Sequence, residues 1–249
     1  MLDDLQSKFV FDDLWSLLVP DARTALWACA FAGGVALGVG TLAAYARARG
    51  LAVPYTRKIF HFGIFTGAAV VHSLWGLPGT NAFGAVLACV VLVAALRGDR
   101  DPIYRVLARE TDRPRRTMFI LVPLFTTALG GLGSALLTGP YATVGYLVSG
   151  WGDAVGEPVG TRWGKHKYRV PSLGGVPATR SFEGSAAVFL VGWAGATLAL
   201  WRLTDPSPAV LVGLACAAVG ALAEGLSNHG LDNLTVQLAA SGTAWMLIA

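Results

Sequence analysis

The sequence predicts an all-α fold, a polytopic transmembrane helix bundle of seven or eight spans. Of its 249 residues 54% are hydrophobic and only 14% charged, which excludes an ordinary soluble domain. Apolar runs recur at 22–46, 59–75, 81–96, 117–137, 141–160, 185–201, 209–226 and 234–249. Several fall short of the roughly 20 residues that cross a bilayer, so the total is read as seven or eight. All of the Lys and Arg residues except Arg23 fall outside these runs.

Two regions follow from this pattern. Residues 1–20 form an acidic, amphipathic segment with Asp3, Asp4, Asp12 and Asp13 against Lys8, the wrong charge for the basic start of a signal peptide, so no cleavage is expected. Leu2, Leu5, Phe9, Leu14, Leu17 and Leu18 would give it an apolar stripe suited to the membrane interface. Residues 21–249 form a single transmembrane catalytic domain. Cys29, Cys89 and Cys216 lie in separate apolar runs and read as small core residues.

The basic residues orient the bundle. The connections at 47–58, 97–116 and 162–183 hold sixteen of the nineteen Lys and Arg residues, and the intervening connections almost none. The positive-inside bias places those three on the cytoplasmic face and both termini outside. Such a distribution is a topology signal, so the net charge of +4 does not call for a nucleic-acid partner. Gly34-x-x-x-Gly38 offers a helix contact that could serve a homo-oligomer.

The densest polar chemistry lies between the fifth and sixth runs. Gly152, Gly156, Gly160 and Gly164 recur every four residues, and Asp153, Glu157, Thr161 and Lys165 form the adjacent row on a helix. Glycines admit a neighbouring backbone, while the polar row can present carboxylates to a metal. The alternative is a small-residue packing seam with incidental charges, although acids at a membrane edge are costly unless they do something. Pro158 is expected to kink the helix and end the regular row at Glu157.

The alternation of runs gathers further polar residues at the same face: Arg57, Lys58 and His61 opening the second run, Glu183 the sixth, Glu224 closing the seventh, and Asp232 and Asn233 opening the eighth. Carboxylates facing cations at a membrane surface suit a magnesium nucleotide, since Mg2+ takes one or two carboxylates and completes its shell with water and phosphate oxygens. Asp153 and Glu157 are the first candidate metal ligands, with Glu224 a third. Arg162, Lys165, Lys167 and Arg180 are candidates to neutralise phosphates. Arg57-Lys58-Ile59-Phe60-His61 is read as a helix N-terminus favouring an anion, with His61 a phosphate contact or base. Asp232 and Asn233 are read as caps of the last helix. His72 reads as structural, and His166 and His229 receive no role. No G-x-x-x-x-G-K-[ST] motif is present, which excludes a P-loop.

The ordered set Arg57-Lys58-x-x-His61, Gly152-Asp153-Ala154, Gly160-x-x-x-Gly164-Lys165-His166-Lys167, Ser181-Phe182-Glu183-Gly184-Ser185 and Asp232-Asn233-Leu234-Thr235-Val236 resembles the phytol kinase and dolichol kinase family. The resemblance implies CTP-dependent phosphorylation of a long isoprenoid alcohol with Mg2+ as cofactor. It also implies that Gly164, Ser181 and Asn233 belong to the nucleotide site. CDP-diacylglycerol synthases share a related pattern, so a CTP-dependent phosphatidate cytidylyltransferase is the enzymatic alternative. A membrane transporter is the other alternative, although carriers usually keep coupling residues near the bilayer midplane. Asp153, Glu183, Asp232 and His61 are the candidate catalytic residues, and Glu183, Asp232 and His61 compete for the role of base.

Overall fold

A computed structural model describes residues 15–173, 176–228 and 230–249. Most of the expected N-terminal segment, and His229, lie outside them. The described chain is a bundle of long helices with one small hairpin, and five helical stretches are long and apolar enough to cross a membrane. Helix α1 spans Ala22–Ala48 and begins where Asp21 accepts hydrogen bonds from the Arg23 and Thr24 amides, satisfying two free N–H groups of its first turn.

Helix α2 spans Val53–Arg97 but reverses at Gly76, whose φ of 61° only glycine adopts readily. The reversal brings Phe83 back against Gly67, where a Cβ would lie 2.7 Å from the ring. Two of the predicted runs are thus joined by a tight turn rather than a loop. A short helix α3, Pro102–Leu107, follows, capped by Asp101. Helices α4 (Met118–Thr138) and α5 (Ala142–Trp163) meet at a second reversal, Gly139. Tyr146 there donates to the Gly131 carbonyl at 3.0 Å.

The segment expected as a loop after α5 is ordered. Strands β1 (Lys167–Leu173) and β2 (Val176–Ser181) pair antiparallel, with Lys167 opposite Ser181 and Arg169 opposite Thr179. Period-2 burial seats Val170 while Lys167 and Arg169 remain exposed. Helices α6 (Phe182–Leu200), α7 (Pro206–Leu226) and α8 (Asp232–Ile248) complete the chain.

Helix α5 is the centre of the bundle, packed on α2, α6 and α8, whereas α1 packs chiefly on α2. The glycine row explains the first of these arrangements. A Cβ at Gly156 would lie 2.5 Å from Val188, and one at Gly152 would lie 3.1 Å from the Val188 carbonyl, so α5 and α6 approach as only small residues allow. Contrary to expectation, Pro158 does not end the row: α5 continues to Trp163. The seam and the acidic row coexist on two faces of one helix. Two cysteines also depart from expectation, since Cys29 and Cys89 are exposed on the bundle surface and only Cys216 is core. Gly34 and Gly38 face open space on the surface of the bundle.

Candidate active site

Asp153 and Glu157 project from α5 toward α2, one helical turn apart. Lys58 lies between them, with Nζ 2.6 Å from Asp153 Oδ2 and 3.1 Å from Glu157 Oε2. The reading of 57–61 as a helix N-terminus is corrected here. Helix α2 starts at Val53, so the amides of that stretch already lie within the helix, and Lys58 is turned inward with 4% of its side chain exposed. His61, one turn further on, places Nε2 3.3 Å from Asp153 Oδ2. A buried ammonium is tolerable only because two carboxylates share it.

Arg109 completes this group and was not anticipated. It donates through Nη1 to Glu157 Oε1 and through Nε to Asp112 Oδ2, each at 2.9 Å. In sequence Arg109 is one of seven arginines between two apolar runs, indistinguishable from a topology signal. The available hint was its spacing of three from Asp112, which lets one helical turn pair them.

Across the same hollow lies a second ion-paired group. Arg180, at the end of β2, pairs with Glu224 of α7 and donates to Asp232 of α8 at 2.9 Å. Asp232 Oδ1 also accepts from the Gly230 and Asn233 amides, at 3.1 and 3.0 Å. Asp232 is thus the first residue of α8, whose cap position is Leu231, and it does not cap the helix as expected. Asn233 instead donates to Thr127 Oγ1 at 2.8 Å, tying α8 to α4. Glu224 faces Arg180, and among the described residues no three His, Cys, Asp or Glu side chains converge as a metal cage.

Asp153, Glu157, Arg109, Asp112, Arg180 and Glu224 all line one cavity of about 450 Å³, together with Lys167, Thr161 and Ser181. Of the remaining expected residues, Arg57, His61 and Asn233 line a smaller neighbouring hollow. Ser181 caps α6 by accepting from the Gly184 amide at 3.1 Å. Gly164 is packed so closely that a Cβ would lie 2.2 Å from the Gly160 carbonyl and 2.6 Å from Ser181 Oγ. Arg162 lies over the Trp163 ring, 5.5 Å from its centroid, outside the cavity lining, and Lys165 is outside it as well. Glu183 turns away to His166, 2.8 Å from Nδ1. His72 bonds Thr80 and the Gly139 carbonyl, far from the cavity, in the structural place expected of it.

Two carboxylates one turn apart, already sharing a cation and bordered by guanidinium and ammonium groups, form a donor set that fits Mg2+ and phosphate oxygens. The chain is 30% identical over 195 residues to a phytol kinase of Synechocystis sp., an alignment covering 76% of this chain and 78% of that protein. The chain belongs to the phytol kinase family. Its apolar helices agree with membership in this group of polyprenol-type lipid kinases, and it is a membrane protein. No family profile matches the chain, and no solved structure does. For this phytol kinase family member, site roles therefore rest on the geometry given above.

Proposed function

We propose that the chain transfers the γ-phosphoryl group of CTP to the hydroxyl of a long-chain isoprenoid alcohol. The observation that carries this reading is the cavity where acids of α5 meet cations from β1, β2 and the 108–117 connection. In phosphoryl transfer, positioning and charge neutralisation do most of the catalysis, and this lining supplies both. Asp153 and Glu157 would hold Mg2+, which supplies charge stabilisation to the transferring group. Arg109, Lys167 and Arg180 neutralise the phosphate chain, the arginines by forked hydrogen bonds.

The alcohol oxygen attacks the γ-phosphorus while the bond to the β-bridging oxygen breaks, releasing CDP. His61, whose Nε2 lies 3.3 Å from Asp153 Oδ2, is the group assigned to take the hydroxyl proton. Glu183 is the weaker candidate because its carboxylate is engaged by His166. Asp232 is the weaker because Arg180 and two amides already occupy it.

The reversals at Gly76 and Gly139 support eight passes within one catalytic unit of residues 21–249, and the basic connections at 47–58, 97–116 and 162–183 support a cavity on the cytoplasmic face with both termini outside. The deciding experiment is an assay of purified protein with γ-labelled CTP, Mg2+ and a panel of lipid alcohols. Label in a lipid monophosphate supports the proposal. Formation of a CDP-lipid from phosphatidate would identify a cytidylyltransferase instead, and no transfer to any alcohol would overturn the reading.

A further inference from the structure

A second, larger hollow of about 710 Å³ lies on the other side of Lys58. Helix α2 forms its floor through Phe62 and Gly63, α1 one wall through Val35 and Val39, and α5 the other through Ala154 and Val155. Among the described residues Lys58 is the one charged residue lining it. The Thr66 hydroxyl within it is already satisfied, donating to the Phe62 carbonyl and accepting from Trp151, each at 2.8 Å. An apolar hollow with a single polar end is the complement of a hydrocarbon chain with a polar head.

The direction of the groove is set by the helix register. Helices α1 and α2 run antiparallel, since Gly63 faces Val39 and Gly67 faces Val35. From Lys58 the groove follows α2 to Val70, about 18 Å at the rise of an α-helix. At the far end Phe31 is braced by Phe83, with ring centroids 6.0 Å apart. At the near end the Lys58 ammonium reaches the two carboxylates that line the polar cavity. Lys58 therefore links the near end of the groove to the carboxylates of the cavity.

We infer that this groove between α1 and α5 binds the single hydrocarbon tail of the acceptor alcohol, with the hydroxyl at Lys58 and the tail end at Phe31. The inference rests on the lipid-kinase reading for the identity of the head group. Entry is lateral, from the bilayer, because Phe62 and Val70 on the floor and Leu42 on the rim are open to the outside. Phe31 then sets how much of the tail is enclosed.

The test is photolabelling of the full-length protein in detergent with a twenty-carbon isoprenoid alcohol bearing a diazirine near its tail end, followed by peptide mapping. Label is expected on α1 near Phe31 and on the facing part of α2. Val39→Trp and Val155→Trp, which fill the groove from opposite walls, should each lower labelling at least tenfold. Leu211→Trp, on the exposed face of α7, should not. Label concentrated elsewhere in wild-type protein, or undiminished in both groove variants, overturns the groove assignment even if one variant folds poorly. Correct labelling in a protein that transfers no phosphate from CTP would overturn the CTP-donor reading and leave the groove standing.

Discussion

Lys58 Nζ lies 2.6 Å from Asp153 Oδ2, joining α2 to α5 across ninety-five positions of sequence. The pair sits where the polar cavity and the apolar groove meet. Removing one partner of a buried ion pair leaves an uncompensated charge and typically costs about 3–5 kcal/mol, so the site is built into the stability of the bundle.

Asp153→Asn should abolish turnover, by about 10²-fold or more, while the protein stays folded, since the amide keeps the shape and Glu157 still faces Lys58. Glu157→Gln should be comparably inactive, because Glu157 is held by both Lys58 and Arg109. Turnover measured beside a thermal melt checks both. A fully active Glu157→Gln would remove that carboxylate from the site.

Arg109→Ala should raise the Michaelis constant for the nucleotide roughly tenfold or more, the loss of one charge-assisted contact worth ~1.5–3 kcal/mol. Arg115→Ala, exposed in the same connection, should leave it unchanged. Equal behaviour of the two variants would return Arg109 to the role of a topology signal.

The two lysines after α5 should separate. Lys167 lines the cavity and Lys165 does not, so Lys167→Ala is expected to weaken nucleotide affinity by roughly tenfold while Lys165→Ala has little effect. Apparent Michaelis constants for nucleotide and alcohol in each variant decide the matter, and the alcohol constant should barely move in either.

Gly164→Ala should destabilise the junction of α5 and the hairpin by about 1–3 kcal/mol, because its Cβ would meet the Gly160 carbonyl, a backbone atom that cannot swing aside. A lowered melting temperature with unaltered nucleotide affinity in the surviving folded protein is the expected outcome. Loss of affinity alone, at full stability, would make Gly164 a nucleotide contact instead.

Cysteines introduced at Arg115 and Arg169, in protein lacking the native thiols, should react with membrane-impermeant reagents only after cells are opened, since both positions are exposed on basic connections. Labelling from outside intact cells would invert the proposed topology.

The apolar runs, the glycine row and the acidic row beside it were legible from sequence because each depends on local regularity: span length, or a period near four on one helix. Packing corrected the consequences. Pro158 lies inside a helix that α2, α6 and α8 enclose, so it fails to end α5 as an isolated helix would suggest. The sequence by itself determined which residue types stand at the membrane face and which share a helical face. Only the tertiary structure decided their partners: Lys58 with Asp153 and Glu157, Arg109 with Glu157, Arg180 with Glu224 and Asp232. The reason is physical. Any of these cations could neutralise any of these acids, and the choice is made by helix contacts between segments far apart in the chain, which local spacing does not encode.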